Sequence, residues 1–314
     1  MTPDILGDAL IRAFADEGFE ARLPSPGTIS VTVPGAADVT ADIGEWRAHA
    51  GRNSRADLPA IAADFAAGLL RGLRREPADD ALRRFEEFDI ERMMASDSLR
   101  VRLYSEESLA DPPGLRDALL ARPLAPGLVQ VVVADHPDSI MPVNRVQIGG
   151  TPEDVVFAAA LRASLEKEPH YVKTGDVWDV PITHVGETHR YVGAHVHVLR
   201  RYLGPAPYGA LVSFPIPEYV IVHEIGGTHL FAALEAMQAL ARTHVEQGER
   251  SISPQVYWWR PGAYEGMPEQ EALGSGLVPD LRPVGVKVDH EEKSVAATTA
   301  ETDELIGLWM RDHA

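Results

Sequence analysis

The sequence contains no cysteine. Disulfides, thiolate metal sites and a cysteine nucleophile are therefore excluded. No run approaches 18 uninterrupted apolar residues, so no stretch reads as a bilayer-spanning helix. Positive charge is scarce: 29 Lys and Arg stand against 47 Asp and Glu, a formal net charge of −18. A field of that sign repels phosphate backbones. The one basic cluster, Arg71, Arg74, Arg75, Arg83 and Arg84, is interleaved with Glu76, Asp79, Asp80, Glu86 and Glu87. Nucleic-acid binding needs clustered cations that release counterions, so it is not expected. Met1 to Leu10 carries Asp4 and Asp8 and lacks the basic-then-apolar pattern of a cleaved secretion signal. These absences predict a soluble cytoplasmic protein with no membrane association.

Catalytic signatures are also missing. There is no G-x-S-x-G elbow, and Gly274-Ser275-Gly276 falls in a loop-like stretch without strand-to-helix context. There is no G-x-x-x-x-G-K-[ST] loop and no G-x-G-x-x-G after a strand. Gly149-Gly150-Thr151 and Gly226-Gly227-Thr228 put glycines at helix starts, where anions can bind. Tight turns and caps explain them more plainly. Close carboxylate pairs such as Asp176 and Asp179 are expected by chance among 47 acids.

What is present is a fold pattern. The 314 residues, at roughly 100–200 per domain, suggest two domains or one with accessory pieces. Ile5, Leu6, Ala9, Leu10, Ala13 and Phe14 recur at helical spacing, ending at Gly18. Thr28 to Val33 and Asp38 to Ile43 read as strands around a Pro34-Gly35 turn, and Asp57 as the N-cap of a helix. A charged helix is expected from about Asp80 to Met94. Leu128 to Ala134 is a nearly continuous apolar run, as in a strand buried on both faces. Pro142 to Ile148 reads as a weaker strand, and Thr151-Pro152-Glu153-Asp154 as a helix start. Ala194 to Leu203 reads as an internal helix. Ala210 to Phe214 and Tyr219 to Glu224 repeat the strand pair, before a long helix starting at Thr228. A strand covers Gln255 to Trp259 and another Val284 to Val288, separated by a Gly- and Pro-rich loop, with a short closing helix at Leu305, Leu308 and Trp309.

Short turns between consecutive strands favour antiparallel pairing, because a parallel pair needs a long crossover. The expected class is α+β: strand-strand-helix units building mixed or mainly antiparallel sheets covered by helices. The expected boundaries are about 1–95, about 96–265, and a partly mobile C-terminal extension over about 266–314.

Three segments carry a resemblance to a known family. They are Val101-Arg102-Leu103-Tyr104, the stretch from Gly127 to the Pro152-Glu153-Asp154 helix, and Ala194 to Leu203 with the strands at Leu211 to Pro215 and Tyr219 to Ile225. With the Ser253-Pro254 strand they cover about residues 99–259 and resemble the YtpQ-like bacterial proteins, a family defined as a domain of unknown function. The resemblance implies architecture and brings no activity or cofactor with it.

Two groups of residues are candidate sites. His184, His189, His195 and His197 lie close in sequence, and His223 and His229 follow. Histidine is the commonest metal ligand, and a catalytic zinc wants three protein ligands. Yet His223-Glu224 and His229 are not H-E-x-x-H, and glycines interrupt them. Convergence is not expected. Tyr257, Trp258 and Trp259, with Tyr264 nearby, form the second group. Alternation on a strand sends Trp258 to one face and its neighbours to the other, which fits one buried face and one contact surface. The leading expectation is a non-enzymatic module that binds a protein or peptide, with no cofactor. The alternative is a metal-assisted hydrolase using the histidines between His184 and His229.

Overall fold

The structure, a computed structural model, describes residues 4–32, 38–52, 54, 55, 57–73, 88–136, 139–227, 229–248, 250–289 and 291–313. The chain forms two units, residues 1–87 and 88–314. Its class is α+β, and every strand pairing among the described residues is antiparallel.

The first unit runs α1 (Ile5–Asp16), β1 (Glu20–Ser25), β2 (Thr28–Thr32), β3 (Val39–Asp42), α2 (Gly44–Ala50) and α3 (Leu58–Leu73). The three strands form one sheet in the order β1-β2-β3. Asp4 caps α1 by accepting the Gly7 N–H (3.0 Å) and takes a two-pronged bond from Arg47. The Arg47 guanidinium is the main reason its carboxyl is held down to about 2. Leu10, Phe14, Ile29, Val31 and Ile43 make the core with Ala62, Ala66 and Leu70 of α3. The helix after Asp57 begins where its sequence places it. Most of the charged helix expected from Asp80 falls outside the described residues.

The second unit opens with α4 (Ile90–Ala95), β4 (Leu99–Ser105), α5 (Leu115–Ala118), β5 (Ala121–Ala125), β6 (Leu128–His136), β7 (Ser139–Pro142) and α6 (Glu153–Glu166). The apolar run Leu128 to Ala134 is the centre of a four-stranded sheet: β6 pairs with β4, β5 and β7. Helix α6 packs Val156, Phe157 and Leu161 on Val101, Val132 and Ala134. The strand expected over Pro142 to Ile148 is corrected. The strand ends at Pro142, and Arg145–Ile148 forms a 3-10 turn whose Asn144 and Gln147 cap each other reciprocally.

Thr151 does not cap α6. The helix starts one residue further on, after Pro152, with no side-chain cap bond, and the Thr151 N–H closes the preceding turn onto the Ile148 carbonyl (3.0 Å). Losing an N-cap costs about 0.5–2 kcal/mol; a residue with no such role stays within about 0.5 kcal/mol. Thr151→Ala should therefore leave the urea midpoint almost unchanged, and a loss above about 1 kcal/mol would contradict this helix start.

The chain continues through β8 (Tyr171–Val177), β9 (Val180–Gly186), a 3-10 segment (Val192–Arg201), β10 (Ala210–Ser213), β11 (Tyr219–Glu224), α7 (Leu230–Gln247), β12 (Val256–Trp259), α8 (Glu269–Gly274), β13 (Leu281–Val284), β14 (Val286–Asp289), β15 (Ser294–Ala297) and α9 (Ala300–His313). Six strands form the main sheet in the order β13-β12-β10-β11-β9-β8. Leu230, Ala233, Leu234, Met237 and Ala241 give α7 one buried stripe. With Leu305 and Trp309 of α9 it covers one face of the sheet, over Ile182, Leu211, Ile221 and Trp258. The other face packs Val212, Val222, Tyr257 and Trp259 against Leu103, Val192, Val196 and Leu199.

Three expectations are corrected here. Residues 266–314 are not an appended extension: β13 pairs with β12 and α9 closes one core. The segment after Ala194 is a 3-10 stretch kinked at Val198 rather than a regular α-helix. Helix α7 starts at Leu230 and is capped by His229, whose Nδ1 accepts the Phe231 N–H (3.3 Å); Thr228 lies outside the described residues.

Candidate functional site

The aromatic strand alternates as its sequence requires, with Tyr257 and Trp259 on one face and Trp258 on the other. It does not form a contact surface. Tyr257, Trp258 and Trp259 are each 1% exposed and Tyr264 is 5% exposed. Burying rings of this size is among the largest apolar gains available to a residue, and each polar tip is satisfied inside. The Trp258 indole N–H donates to the Tyr208 carbonyl (2.7 Å), the Tyr257 hydroxyl to the Pro126 carbonyl (2.9 Å), and the Trp259 indole N–H to Glu265 (2.9 Å).

Trp259 and Tyr264 instead help wall a cavity of about 190 Å³ between the 3-10 segment and residues 264–272. One sequence-flagged histidine joins them. His197 is buried, its Nδ1 2.9 Å from the Tyr264 hydroxyl and its Nε2 3.0 Å from Gln130 Oε1. Because an amide oxygen only accepts, Nε2 carries the proton and Nδ1 accepts from Tyr264. Burial, reinforced by nearby Arg122, lowers the imidazole to about 3, and burial pushes the Tyr264 phenol up. Both groups are thus neutral and mutually occupied at neutral pH. A general base needs a pKa near the operating pH, and this imidazole is far below it. Gln130 went unnoticed in the sequence; the signal was a lone polar side chain inside the apolar run Leu128 to Ala134.

The remaining candidate histidines have separate surroundings. His195 is fully buried, with Nδ1 on the Tyr202 hydroxyl, its ring 4.2 Å from that of His170, and Nε2 without a partner among the described residues. Burial, with His170 alongside, lowers it to about 3. His223 Nδ1–H donates to the Pro181 carbonyl (2.8 Å), and burial lowers its pKa. His189 Nε2–H donates to the Pro169 carbonyl (2.7 Å). His184 packs its ring edge against Tyr219 and His244. His229 is the α7 cap. Among the described residues, no group of three or more His, Asp or Glu side chains is placed to hold a metal ion.

An exposed edge strand of the second unit had no counterpart in the sequence patterns. Strand β8 ends the six-stranded sheet, paired with β9 over seven consecutive positions from Tyr171↔Gly186 to Val177↔Val180 without a bulge. Residues 171–176 are exposed on both faces. Among the described residues no strand pairs with its outer edge, and backbone N–H and C=O groups left in this way are the template for adding another strand. Tyr171 (42%), Val172 (49%) and, at the hairpin tip, Trp178 (68%) add exposed apolar surface. Trp178 and Asp179 form the two-residue turn with positive φ (51° and 61°), the backbone of a type I′ hairpin.

Trp178 is also the one exposed indole, since Trp46, Trp258, Trp259 and Trp309 are all 7% exposed or less. Acrylamide should quench one class of tryptophan strongly and leave the rest protected. Trp178→Phe should remove most of the quenchable emission; strong quenching that survives the substitution would contradict this placement.

No protein-family model matches the chain, and no curated protein or solved structure matches it. No helix among the described residues is long and apolar enough to cross a membrane.

Proposed function

We propose that this chain is a non-enzymatic interaction module, acting in the cytoplasm, that takes an extended segment of another protein along the open edge of β8. The observation that carries it is the edge itself: seven residues long, unbulged, solvent-exposed, and flanked by Tyr171, Val172 and Trp178. Main-chain hydrogen bonds to such an edge supply affinity, and side chains on alternate positions supply specificity. Trp178 is the natural anchor, because aromatic residues dominate binding energy at interfaces. Lys173 in the middle of the strand discourages pairing with the same strand of a second copy.

The partner segment is basic. The chain carries a net charge of −18. Asp176 on β8 and Asp179 in the turn have no ion-pair partner among the described residues. Opposite charge would steer encounter and fix register. Among the described residues the hydrolase alternative has no convergent ligand set to draw on, and the resemblance to YtpQ-like proteins adds no catalytic expectation.

Panning a random peptide display library against the full chain tests this reading. The selected peptides should alternate apolar and basic residues. Their affinity should fall at least about tenfold, or 1.4 kcal/mol, for Trp178→Ala and for Val172→Glu, with circular dichroism unchanged. Peptides that bind both variants as well as the original chain would overturn it.

A further inference from the structure

The cavity beside His197 has a definite chemical character, and it is independent of the β8 edge. Its walls include Val196, Leu199, Trp259, Tyr264, Met267 and Ala272. At about 190 Å³ it is larger than a cavity of about 150 Å³ that holds a benzene ring. An aromatic ring with a short side chain is therefore the size of occupant it accepts.

The side chains of His197, Glu265 and Glu269, which line it, are each engaged within the protein. Both His197 nitrogens are bound, one by Tyr264 and one by Gln130. Glu265 accepts the Trp259 indole N–H (2.9 Å) through Oε1 and the Gly262 N–H (2.8 Å) through Oε2. Glu269 is clamped by Arg201, whose Nε lies 2.9 Å from Oε2 and whose second nitrogen holds Oε1.

Arg200 is the exception. It lines the cavity, is exposed, and has no acidic partner among the described residues. Its neighbour Arg201 neutralises the lining carboxylate Glu269, and the other, Glu265, accepts from the Trp259 indole and the Gly262 N–H, so neither is ion-paired with Arg200. Guanidinium is matched in geometry to a carboxylate, which it binds through two parallel hydrogen bonds.

We infer that this cavity is a binding site for a small aromatic carboxylate, its ring enclosed between Trp259, Leu199 and Met267 and its carboxylate held by Arg200. The aromatic wall favours a ring over an aliphatic chain of the same volume, because ring pairs gain beyond their area when offset or edge-on. No reaction is implied, since the one imidazole at the site is neutral and occupied on both nitrogens.

The test uses the full chain with 3-phenylpropionate as probe and its neutral amide, 3-phenylpropanamide, as comparison, followed by calorimetry and tryptophan emission. The acid should bind at least about tenfold tighter than the amide. Arg200→Ala, at an exposed position, should remove that preference by bringing the acid's affinity down to about that of the amide. Met267→Trp, which fills the cavity from its partly exposed side, should abolish binding of both; Met267→Phe serves if the larger ring prevents folding. Equal affinity for acid and amide, an unchanged preference in Arg200→Ala, or undiminished binding when Met267 is enlarged would each overturn the inference.

Discussion

Taking the protein from pH 7 to pH 5 should cost the second unit about 4 kcal/mol of stability, about 2 kcal/mol from each of His195 and His197. Both imidazoles are held at about 3 when folded, against about 6.5 in an unfolded chain. The cause is burial in both cases, with the neighbouring His170 and Arg122 adding to it. Between these two values the unfolded chain binds the proton and the folded chain refuses it, so stability rises with pH. The contribution is fully present above the unfolded value and is lost as pH falls from about 6.5 toward 3. His184, His223 and His244 are shifted in the same direction by burial and steepen the loss. Urea unfolding at pH 7, 6 and 5 gives the slope directly. His197→Asn should lower absolute stability, because Tyr264 and Gln130 lose their shared partner. The slope is independent of that loss and should fall by the share of one histidine. A flat profile from pH 7 to 5, or an unchanged slope in the variant, would contradict the buried neutral state.

Gly209→Ala should destabilise the second unit by at least about 3 kcal/mol. Gly209 has φ +80° and sits where the chain enters β10, beside the aromatic strand. An added Cβ would stand 2.0 Å from the Trp259 carbonyl oxygen, a backbone atom fixed by the β10–β12 ladder, and 3.1 Å from the Trp258 indole nitrogen. A left-handed backbone costs an L-residue about 1–2 kcal/mol; the displacement of paired backbone comes on top of that. Gly114 isolates the first part, since it has φ +84° and an added Cβ there would meet nothing within 4 Å. Gly114→Ala should cost only about 1–2 kcal/mol. Equal losses at the two glycines would mean that the contact with Trp259 relaxes freely.

Legibility in the sequence followed burial. The run Leu128 to Ala134 announced a central strand because both its faces are covered, and Tyr219 to Glu224 did so for the same reason. The α7 stripe was readable because one face of that helix meets the sheet. Strand β8 gave no signal. Exposed on both faces, Tyr171 to Asp176 carries no apolar period, and its turn is Trp178-Asp179 instead of the Asn-Gly or Asp-Gly that marks such hairpins. The residues that make it the candidate interaction edge are thus the ones that hid it. The aromatic strand illustrates the reverse case. Alternation assigned the two faces of Tyr257, Trp258 and Trp259 correctly, but it carries no information about what lies over each face. Residues 269–313 cover Trp258 through α9, and the 3-10 segment covers Trp259. His197 could be noticed but not placed, because its partners Gln130 and Tyr264 are each 67 residues away in sequence.

Hydrogen exchange on β8, with and without a bound peptide selected by the chain, tests the proposed role most directly. In the free protein the amides of residues 171–177 that face the outer edge should exchange quickly, since among the described residues no strand lies beside them. On adding the peptide, alternate amides along this strand should become protected while those already bonded to β9 change little, the pattern of one more strand joining the sheet. Protection confined to other elements, with the β8 edge still exchanging freely, would contradict the proposal.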